Sequence, residues 1–421
     1  MTKASRTDNA ASSGVETIDE FRARARAWLA DNMAPIDPAH PPATHRDEER
    51  CWQRARELQK RLYEGGFAGI CFPRDCGGLG LDYEYQRAFD EESFSYEMPL
   101  ILNTPTFTIC CATPLDTGSE EQKRQHIAAA LRREEVLVQL LSEPSGGSDL
   151  AGVISRAERD GDRWVINGAK TWSTSAFAAD YGLCLARTNW DVPKHDGLTM
   201  FLVPVKQPGI TLRRITQLNG STEFCEEFLD GVDVGDDAVV VGEVNDGWTV
   251  ASRQLYHERR AVGGSSEFAR GSGSEGGRTT PVNYAALARK SGQADNERVQ
   301  QMSGRALVHR AVSDQLGDHV FRGVRDGTLP PAAGTLLRLF HAETVTHEMD
   351  TGLAITGTAG VVGADGEGLG DRPALLVPAS GLIGGGTSEL ARNVIGERVL
   401  NLPRKYAADR GVPFSQVRHG N

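Results

Sequence analysis

The chain has 421 residues, of which 39% are hydrophobic and 24% charged, a balance that excludes fibrous and disordered proteins. Its 46 Lys and Arg against 57 Asp and Glu give a formal charge of −11, which repels a phosphate backbone and argues against nucleic acid as a partner. The sequence has no apolar run long enough to span a membrane and its first residues lack the apolar core of a signal peptide, so we expect a cytoplasmic protein.

The pattern of the sequence changes twice along the chain. After a small, polar segment expected to be a disordered tail (1–15), apolar positions spaced by three and four residues predict an N-terminal helical domain over 16–135. Short β-branched runs separated by turn residues predict a central antiparallel β-domain over 136–245. Helical periodicity returns over 246–404, ahead of a tail at 405–421. The predicted fold class is therefore α+β.

Two dipeptides in the central region are typical of turns. Asp160-Gly161 indicates a hairpin, and Asn167-Gly168 indicates a second turn shortly after it. The strand-like runs around them predict a sandwich or a barrel.

The segment LLSEPSGGSDLAG, residues 140–152, follows a predicted strand and combines glycines with serines. A turn that contains Ser142, Gly147 and Ser148 exposes hydroxyl and backbone N–H groups together, which suits a phosphate or the polar edge of a ring. The alternative is an Asp- and Ser-rich connector with no ligand.

Trp172 follows a predicted turn and precedes hydroxyl residues in NGAKTWSTSA, residues 167–176. A tryptophan beside hydroxyls can form one wall for a planar aromatic ligand while its neighbours bond the edge of that ligand. A core tryptophan is the alternative.

One predicted helix carries a carboxylate on its apolar face. In GWTVASRQLYHERRAVGG, residues 247–264, the apolar side chains recur at helical spacing and Glu258 lies between Leu255 and Val262 on the same stripe. Burial should raise the pKa of this carboxyl and increase its basicity, as removal of a proton from carbon requires. The alternative is a buried ion pair with Arg259, Arg260 or a distant arginine.

The segment GLIGGGTSELARNVIGERVLNLPR, residues 381–404, leads from three glycines into a predicted helix. Thr387 or Ser388 can cap this helix, and Glu389 is favourable in its first turn. Free N–H groups at such a terminus can bind an oxyanion or a phosphate. The alternative is a capped helix and nothing more.

Cysteine and histidine spacing indicates no metal. The seven cysteines are odd in number and contain no C-x-x-C, and the ten histidines show no ligand spacing. Neither a zinc site nor a disulfide framework is expected.

Taken together, these segments resemble the acyl-CoA dehydrogenase family of flavoproteins. The resemblance extends from about Phe21 to Arg404 and rests on GFAGICFPRDCGGLG, SEPSGGSDLAG, NGAKTWSTSAFAADYGLCLART, HDGLTMFLVPVKQPGI, GEVNDGW and GGGTSELARNVIGERVLNLPR. It implies an N-terminal helical domain, a central β-domain and a C-terminal four-helix bundle, with FAD between the last two. It also implies cofactor contacts from Leu141, Ser142, Gly147, Ser148, Trp172, Ser173, Thr174, Thr387 and Glu389, with Ser148 near the bound acyl-CoA as well.

The sequence departs from the commonest pattern of that family at the catalytic base. Many members carry the catalytic glutamate immediately before the Gly-Thr of the last segment, where this chain has Gly385. A smaller group carries the base in an E-R pair on an earlier helix, and Glu258 matches that position. The resemblance further implies that Arg259 lines the substrate channel and that the Gly385 N–H helps to hold the thioester oxygen.

The implied partners are an acyl-CoA substrate and an electron-transfer flavoprotein. An R-x-x-F-G motif is absent after Glu258, and Ala354 stands where family homodimers place a glutamine that reaches the neighbouring FAD. The chain is in this respect similar to subunits of bacterial steroid side-chain acyl-CoA dehydrogenases, so a homotetramer or a heterotetramer with a related subunit is expected. A partner subunit without catalysis, and a flavin oxidase or monooxygenase on the same fold, are the alternative functions.

Overall fold

The computed structural model describes residues 16–37, 45–262, 266–269, 282–357, 383–404 and 406–417, so the predicted tail at 1–15 lies outside the described residues. The described residues form two compact units. The first unit comprises 16–215, 223–269 and 411–417, and the second comprises 216–222 and 282–410, each with the gaps just given.

Helices open the first unit, as the apolar spacing predicts. They are α1 (Ile18–Asn32), α2 (Glu49–Glu64) and α3 (Tyr83–Ser93). Thr17 begins α1 with a capping box, in which its side chain accepts from the Glu20 N–H and Glu20 bonds back. Apolar faces of the three helices enclose a small core that includes the stacked rings of Phe67 and Phe89, 5.2 Å apart.

A buried helical run follows these three helices. It begins with a π-helical segment, Asn103–Cys111, and continues as α4 (Ala112–Thr117), α5 (Glu120–Gln122), a second π-helical segment (Lys123–Ile127) and α6 (Ala128–Leu131). Every side chain of Asn103–Cys111 except that of Thr104 is buried, and this segment packs against β1 and α7. It therefore forms one wall of the region described below as the candidate active site.

Eight strands form one sheet in the centre of the chain. They are β1 (Leu137–Leu140), β2 (Arg156–Asp160), β3 (Arg163–Thr174), β4 (Tyr181–Arg187), β5 (Leu198–Pro204), β6 (Ile210–Ile215), β7 (Phe224–Gly235) and β8 (Val240–Val241). The strand order is β6-β7-β3-β2-β4-β5-β8, and β1 pairs with β4. Most pairs are antiparallel, as expected, while β1 and β2 each run parallel to β4.

The two predicted turns have different outcomes. The hairpin at Asp160-Gly161 is confirmed, since Asp160 pairs with Arg163 across β2 and β3. The turn at Asn167-Gly168 is wrong because both residues lie inside β3 at an irregularity in its pairing with β7. Gly168 has φ +151°, and a Cβ there would lie 2.3 Å from the Ser155 Oγ. The glycine thus serves a bulge and a close approach.

The last helix of the first unit is α7 (Gly247–Val262), which packs against Asn103–Cys111, α4 and β5. The predicted tail at 405–421 contains a packed segment. Phe414 is buried, its ring lies 3.4 Å from the Arg187 guanidinium carbon, and its N–H donates to the Val192 carbonyl at 2.8 Å.

The second unit is helical. It contains α8 (Tyr284–Lys290), α9 (Glu297–Arg325), α10 (Gly334–Thr356) and α11 (Ser388–Arg398). The predicted α+β class, with helices on either side of a β-domain in the sequence, is confirmed, and the exact domain limits stay a prediction. Within the described residues, no helix is both long enough and apolar enough to cross a membrane.

Candidate active site

Glu258 lies in the fourth turn of α7, half-buried, inside the first unit. The Gln139 side-chain amide, on β1, donates to the Glu258 Oε2 at 3.0 Å. Burial, the neighbouring Cys111 and the Glu258 charge raise the pKa of the fully buried Cys110 thiol well above its usual value. The predicted base therefore accepts from a neutral donor, is half-buried and is not turned out into solvent. The expected rise in its pKa stays a prediction.

Asp116 anchors the helix that carries Glu258. The Asp116 carboxylate, on α4, accepts from the Arg253 guanidinium and from the His257 Nε2 at 2.7 Å. Burial opposes ionisation of Asp116, but these two donors outweigh it and lower its pKa. Burial lowers the pKa of His257, and the hydrogen bond and charge of Asp116 oppose that shift. Asp116 therefore holds α7 at two positions, Arg253 and His257, which lie five residues and one residue before Glu258.

A buried ion pair holds the predicted ligand loop after β1. The Lys170 ammonium, on β3 and fully buried, donates to the Glu143 Oε1 at 2.8 Å. Its other bonds go to the carbonyl oxygens of Leu141, at 3.2 Å, and Leu185, at 2.6 Å. All three hydrogens of the ammonium group are thus used within the protein.

Glu143 ties the same loop to the strand that follows it. Its carboxylate accepts from the Ile154 N–H at 2.7 Å and the Ser155 N–H at 2.9 Å, in addition to Lys170. Burial alone would raise the pKa of Glu143, yet the Lys170 charge and these hydrogen bonds lower it. Sequence patterns did not single out Glu143, although its carboxylate lies inside a small-residue turn three residues after β1, a visible signal.

The loop between Leu141 and Leu150 presents its small residues outward. The Thr171 N–H donates to the Ser142 carbonyl at 2.9 Å, which joins the loop to β3. Gly147 and Ser148 are exposed, and a Cβ on Gly147 would lie 3.4 Å from the Ser142 Oγ. Hydrogen bonds therefore hold this segment in a defined turn. A flexible connector would not require such bonds.

Trp172 lies on the surface of the first unit with 57% of its area exposed, so the core alternative for this tryptophan is wrong. A bulge in β3 gives it φ +63° and turns its ring outward against the edge of Phe224, with centroids 5.9 Å apart. Thr174 is half-buried next to it. An exposed, well-supported aromatic ring with a hydroxyl neighbour fits the predicted wall for a planar ligand.

Ser173 points the other way, into the β-domain. Its hydroxyl donates to the Glu227 Oε2 at 2.9 Å, and both side chains are buried. Glu227 lies on β7 directly across from Lys170, and among the described residues its Oε1 has no hydrogen-bond partner. Burial raises the pKa of Glu227 to about 8, with Ser173 and Lys170 opposing the shift. Ser173 therefore supports the Trp172 strand from beneath rather than facing an open surface.

Glu227 should make stability depend on pH. Its carboxyl keeps a proton in the folded protein between its usual pKa, near 4.5, and about 8, whereas the unfolded chain has lost it. Stability should therefore fall as pH rises through that window, by up to about 1.4 kcal/mol per pH unit from this group. Glu227→Gln, measured by urea unfolding at several pH values, should lose this slope and be more stable than the wild type above pH 8. Glu226→Gln, on the neighbouring position of β7, is the control; an unchanged slope in Glu227→Gln would refute the assignment.

The glycine-rich segment and the helix after it belong to the second unit. Thr387 caps α11, with its hydroxyl accepting from the Leu390 N–H at 3.2 Å, so the predicted capping is confirmed. Glu389 is exposed in the first turn, where backbone and Thr387 hydrogen bonds lower its pKa. Gly385 is exposed with φ +69°. The Arg338 guanidinium donates to the carbonyls on either side of it, those of Gly384 and Gly386, at 2.6 and 2.8 Å.

The structure thus groups the predicted site residues by unit. The first unit holds Glu258, the exposed Arg259 and the predicted cofactor residues Leu141, Ser142, Gly147, Ser148, Trp172, Ser173 and Thr174. The second holds Gly385, Thr387 and Glu389. Among the residues that the structure describes, no cluster of three or more His, Cys, Asp or Glu is arranged to hold a metal.

Comparison with known families accounts for nearly the whole chain. The models of the acyl-CoA dehydrogenase N-terminal, middle and C-terminal domains match residues 16–134, 139–232 and 245–400, in that order. The chain belongs to the acyl-CoA dehydrogenase family. Members of this family are oxidoreductases that act on CH–CH bonds, and this chain is an enzyme of that class.

Curated relatives of this acyl-CoA dehydrogenase are similar over their full length. The chain is 32% identical to acyl-CoA dehydrogenase IpdE1 of Mycobacterium tuberculosis over 93% of this chain and 99% of the relative. It is 31% identical to IpdE1 of Mycolicibacterium smegmatis over 92% and 98%. Among solved structures, the Tcur3481-Tcur3483 steroid ACAD superposes with a TM-score of 0.69 at 26% identity, covering 93% of this chain and 99% of that one.

Proposed function

We propose that this acyl-CoA dehydrogenase uses FAD to introduce an α,β double bond into an acyl-CoA thioester, with Glu258 as the base. The observation that carries the proposal is the position of Glu258, half-buried on α7 and bonded to Gln139 beside the buried Cys110. A half-buried carboxylate has less water around it than an exposed one, and Gln139 offers it a neutral donor. Such a group is suited to remove a proton from carbon.

The residues of the first unit fit a planar cofactor with a polar edge. Trp172 presents an exposed ring, held by Phe224, against which an isoalloxazine could lie. Thr174 lies on β3, and Ser142 is joined to β3 by the Thr171 N–H; both are half-buried and offer hydroxyl and backbone groups. The exposed backbone of Gly147 is suited to a phosphate. The family resemblance also implies cofactor contacts from Thr387 and Glu389, which begin α11 in the second unit.

The chemistry divides between the cofactor and the chain. Bound FAD supplies the acceptor for the hydrogen that leaves the β-carbon as hydride. Glu258 takes the α-proton, and Gln139 holds the Glu258 carboxylate so that one oxygen stays oriented. Asp116 keeps α7 in place through Arg253 and His257, which limits the loss of that orientation. The family resemblance implies a donor to the thioester oxygen at the Gly385 N–H, which belongs to the second unit.

The proposed substrate carries a bulky, branched or steroid-derived acyl group. Two observations support this choice: the base on α7 instead of at position 385, and the similarity to a structure titled steroid ACAD.

The proposed electron acceptor is an electron-transfer flavoprotein, and the proposed assembly is a heterotetramer with a related subunit. Support for the second point comes from Ala354, a small residue on α10 where a glutamine is expected in homodimers, and from the two-part name of the Tcur3481-Tcur3483 relative. Purified alone, the chain should hold less than one FAD per subunit by its absorbance spectrum. A stable homotetramer with one FAD per chain would refute the heteromeric assembly.

Anaerobic mixing with a panel of straight-chain and steroid acyl-CoA thioesters tests the proposed reaction. Loss of the yellow flavin absorbance with at least one thioester, followed by slow recovery in air, is the expected result. Fast recovery in air would favour a flavin oxidase or monooxygenase, and a chain that binds no flavin under any assembly condition would favour a partner subunit without catalysis.

A further inference from the structure

The side chain of Gln254 is fully buried, and neither its Nε2 nor its Oε1 has a hydrogen-bond partner among the described residues. Exchange of the two amide atoms does not change this result, because both lack a partner. A buried amide that bonds nothing is uncommon in a folded protein, since desolvation of each group is then not compensated. A ligand that the structure does not contain can supply the missing bonds.

Gln254 lies in the same part of the molecule as the proposed base. It precedes Glu258 by four residues on α7, so the two side chains share one helix face with Cβ atoms about 5–6 Å apart. Its neighbours on that face, Val250 and Ala251, belong to the apolar core of the first unit. Helix α7 packs against Asn103–Cys111 and β5. The Glu258 charge contributes to the raised pKa of the Cys110 thiol in that segment. An acyl group whose α-carbon lies at Glu258 therefore has atoms within reach of Gln254.

We propose that Gln254 is a specificity-determining residue that hydrogen-bonds a hydroxyl group on the acyl portion of the substrate. The inference rests on the proposed function and adds a substrate class to it, namely acyl-CoA thioesters that carry an oxygen substituent within a few bonds of the α-carbon. A hydroxyl fits better than a ketone because it both donates to Oε1 and accepts from Nε2, whereas a ketone satisfies Nε2 alone. A purely hydrocarbon acyl group leaves both amide atoms without a partner.

A matched substrate series tests this proposal. The probes are 3-cyclohexylpropanoyl-CoA and its derivatives with a hydroxyl or a ketone at one ring carbon, taken one carbon at a time. For the wild-type holoenzyme, kcat/KM should be about tenfold to a hundredfold higher for at least one hydroxyl isomer than for the unsubstituted thioester, because a lost buried hydrogen bond costs about that factor. The matching ketone should fall between the two.

Gln254→Met is the decisive variant, because methionine has nearly the same shape and no amide. The preference for the hydroxyl isomer should fall to about one, mainly through loss of activity on that isomer, and the melting temperature should not fall. Ser252→Ala, an exposed position on the same helix, should keep the wild-type preference. If Gln254→Met does not fold, two measurements still test the role of Gln254. They are the ratio of kcat/KM between the hydroxyl isomer and the unsubstituted thioester in the wild type, and the same ratio in Gln254→Leu.

Each outcome separates the inference from the proposed function. Equal kcat/KM for all probes in the wild type, or a preference that persists in Gln254→Met, would overturn the role of Gln254 and leave the dehydrogenase intact. A lower melting temperature with an unchanged substrate preference would show that Gln254 bonds a buried water in a structural role, and would overturn it too. Failure of every thioester to bleach the flavin would instead refute the proposed function.

Discussion

Glu258→Gln should lower the turnover of acyl-CoA by at least about a hundredfold and leave the flavin content unchanged. A general base in proton transfer contributes roughly 10²- to 10⁴-fold, and glutamine keeps the shape and the hydrogen-bonding ability of the side chain but cannot take a proton. The Gln139 amide, which donates to the Glu258 Oε2 at 3.0 Å, can still donate to a carboxamide oxygen, so α7 should keep its position. Steady-state kinetics with an artificial electron acceptor, beside the absorbance spectrum of the purified variant, measure both quantities.

Glu243→Gln is the matched control for that experiment. Glu243 is exposed just before α7, so the substitution removes the same charge near the same helix without touching Glu258. Its turnover should equal that of the wild type. Substantial activity in Glu258→Gln would remove Glu258 from the role of base, and an equal loss in Glu243→Gln would point to overall charge rather than to proton transfer.

Lys170→Met should lower the free energy of unfolding by about 3–5 kcal/mol, because it leaves the Glu143 carboxylate buried without its cation. The two groups lie 2.8 Å apart with almost no exposed side-chain area. Since Leu141 and Glu143 both lose a bond, the loop that precedes Gly147 should also lose order, and the flavin content of the purified protein should fall. Urea unfolding at pH 7 and the ratio of flavin to protein absorbance measure the two effects.

The pH dependence of the Lys170→Met effect has a definite sign. The pKa of Glu143 is lowered in the folded protein, so its ionisation adds stability above its unfolded pKa, and this contribution disappears as pH falls through the folded value. The difference between wild type and Lys170→Met should therefore shrink in acid. The double variant Glu143→Gln with Lys170→Met should recover part of the loss, because no charge is then left unpaired.

Arg163→Ala serves as the control for the buried pair. Arg163 pairs with Asp233 at 2.7 Å on the open surface of the same two strands that carry Lys170 and Glu227. Because solvent screens this pair, its loss should change the unfolding midpoint little. If Arg163→Ala and Lys170→Met destabilise the protein equally, the buried pair is not the special support of the loop that the structure indicates.

Sequence patterns predicted the strands that contain apolar or β-branched runs and missed β2, which contains neither. β4 and β5 consist largely of buried apolar residues and stand out in the sequence. β2, by contrast, reads RAERD and buries one of its five side chains, so it has no strand-like pattern of its own. It forms because β3 and β4 pair with its backbone.

The glycine at 168 shows a second limit of local patterns. Asn-Gly is the strongest short turn signal, yet this pair lies within a twelve-residue strand. The reason is not local, since Ser155, on the segment entering β2, approaches the Gly168 backbone and leaves no room for a side chain. A sequence read in short windows does not contain that contact.

In the candidate site, too, local patterns predicted some residues and missed those that depend on contacts distant in the sequence. Glu258 could be found from helical spacing, because its helix face is set by neighbours within two turns. Its support could not be found so, since Gln139 is 119 residues away in the sequence and the Asp116 contact to His257 spans 141. Gln254 was also missed, because a glutamine on a helix surface ordinarily faces water and only the packed structure shows that both of its amide atoms are buried.

Exchange of the α-proton tests the central role of Glu258 most directly. An acyl-CoA analogue with sulfur in place of the β-carbon has no hydrogen to lose as hydride, so only the α-proton step remains. Incubated in D2O and followed by NMR, this analogue should gain deuterium at the α-carbon with the wild type and with Glu243→Gln, and should gain none above background with Glu258→Gln. Undiminished exchange in Glu258→Gln would contradict the assignment of this residue as the base.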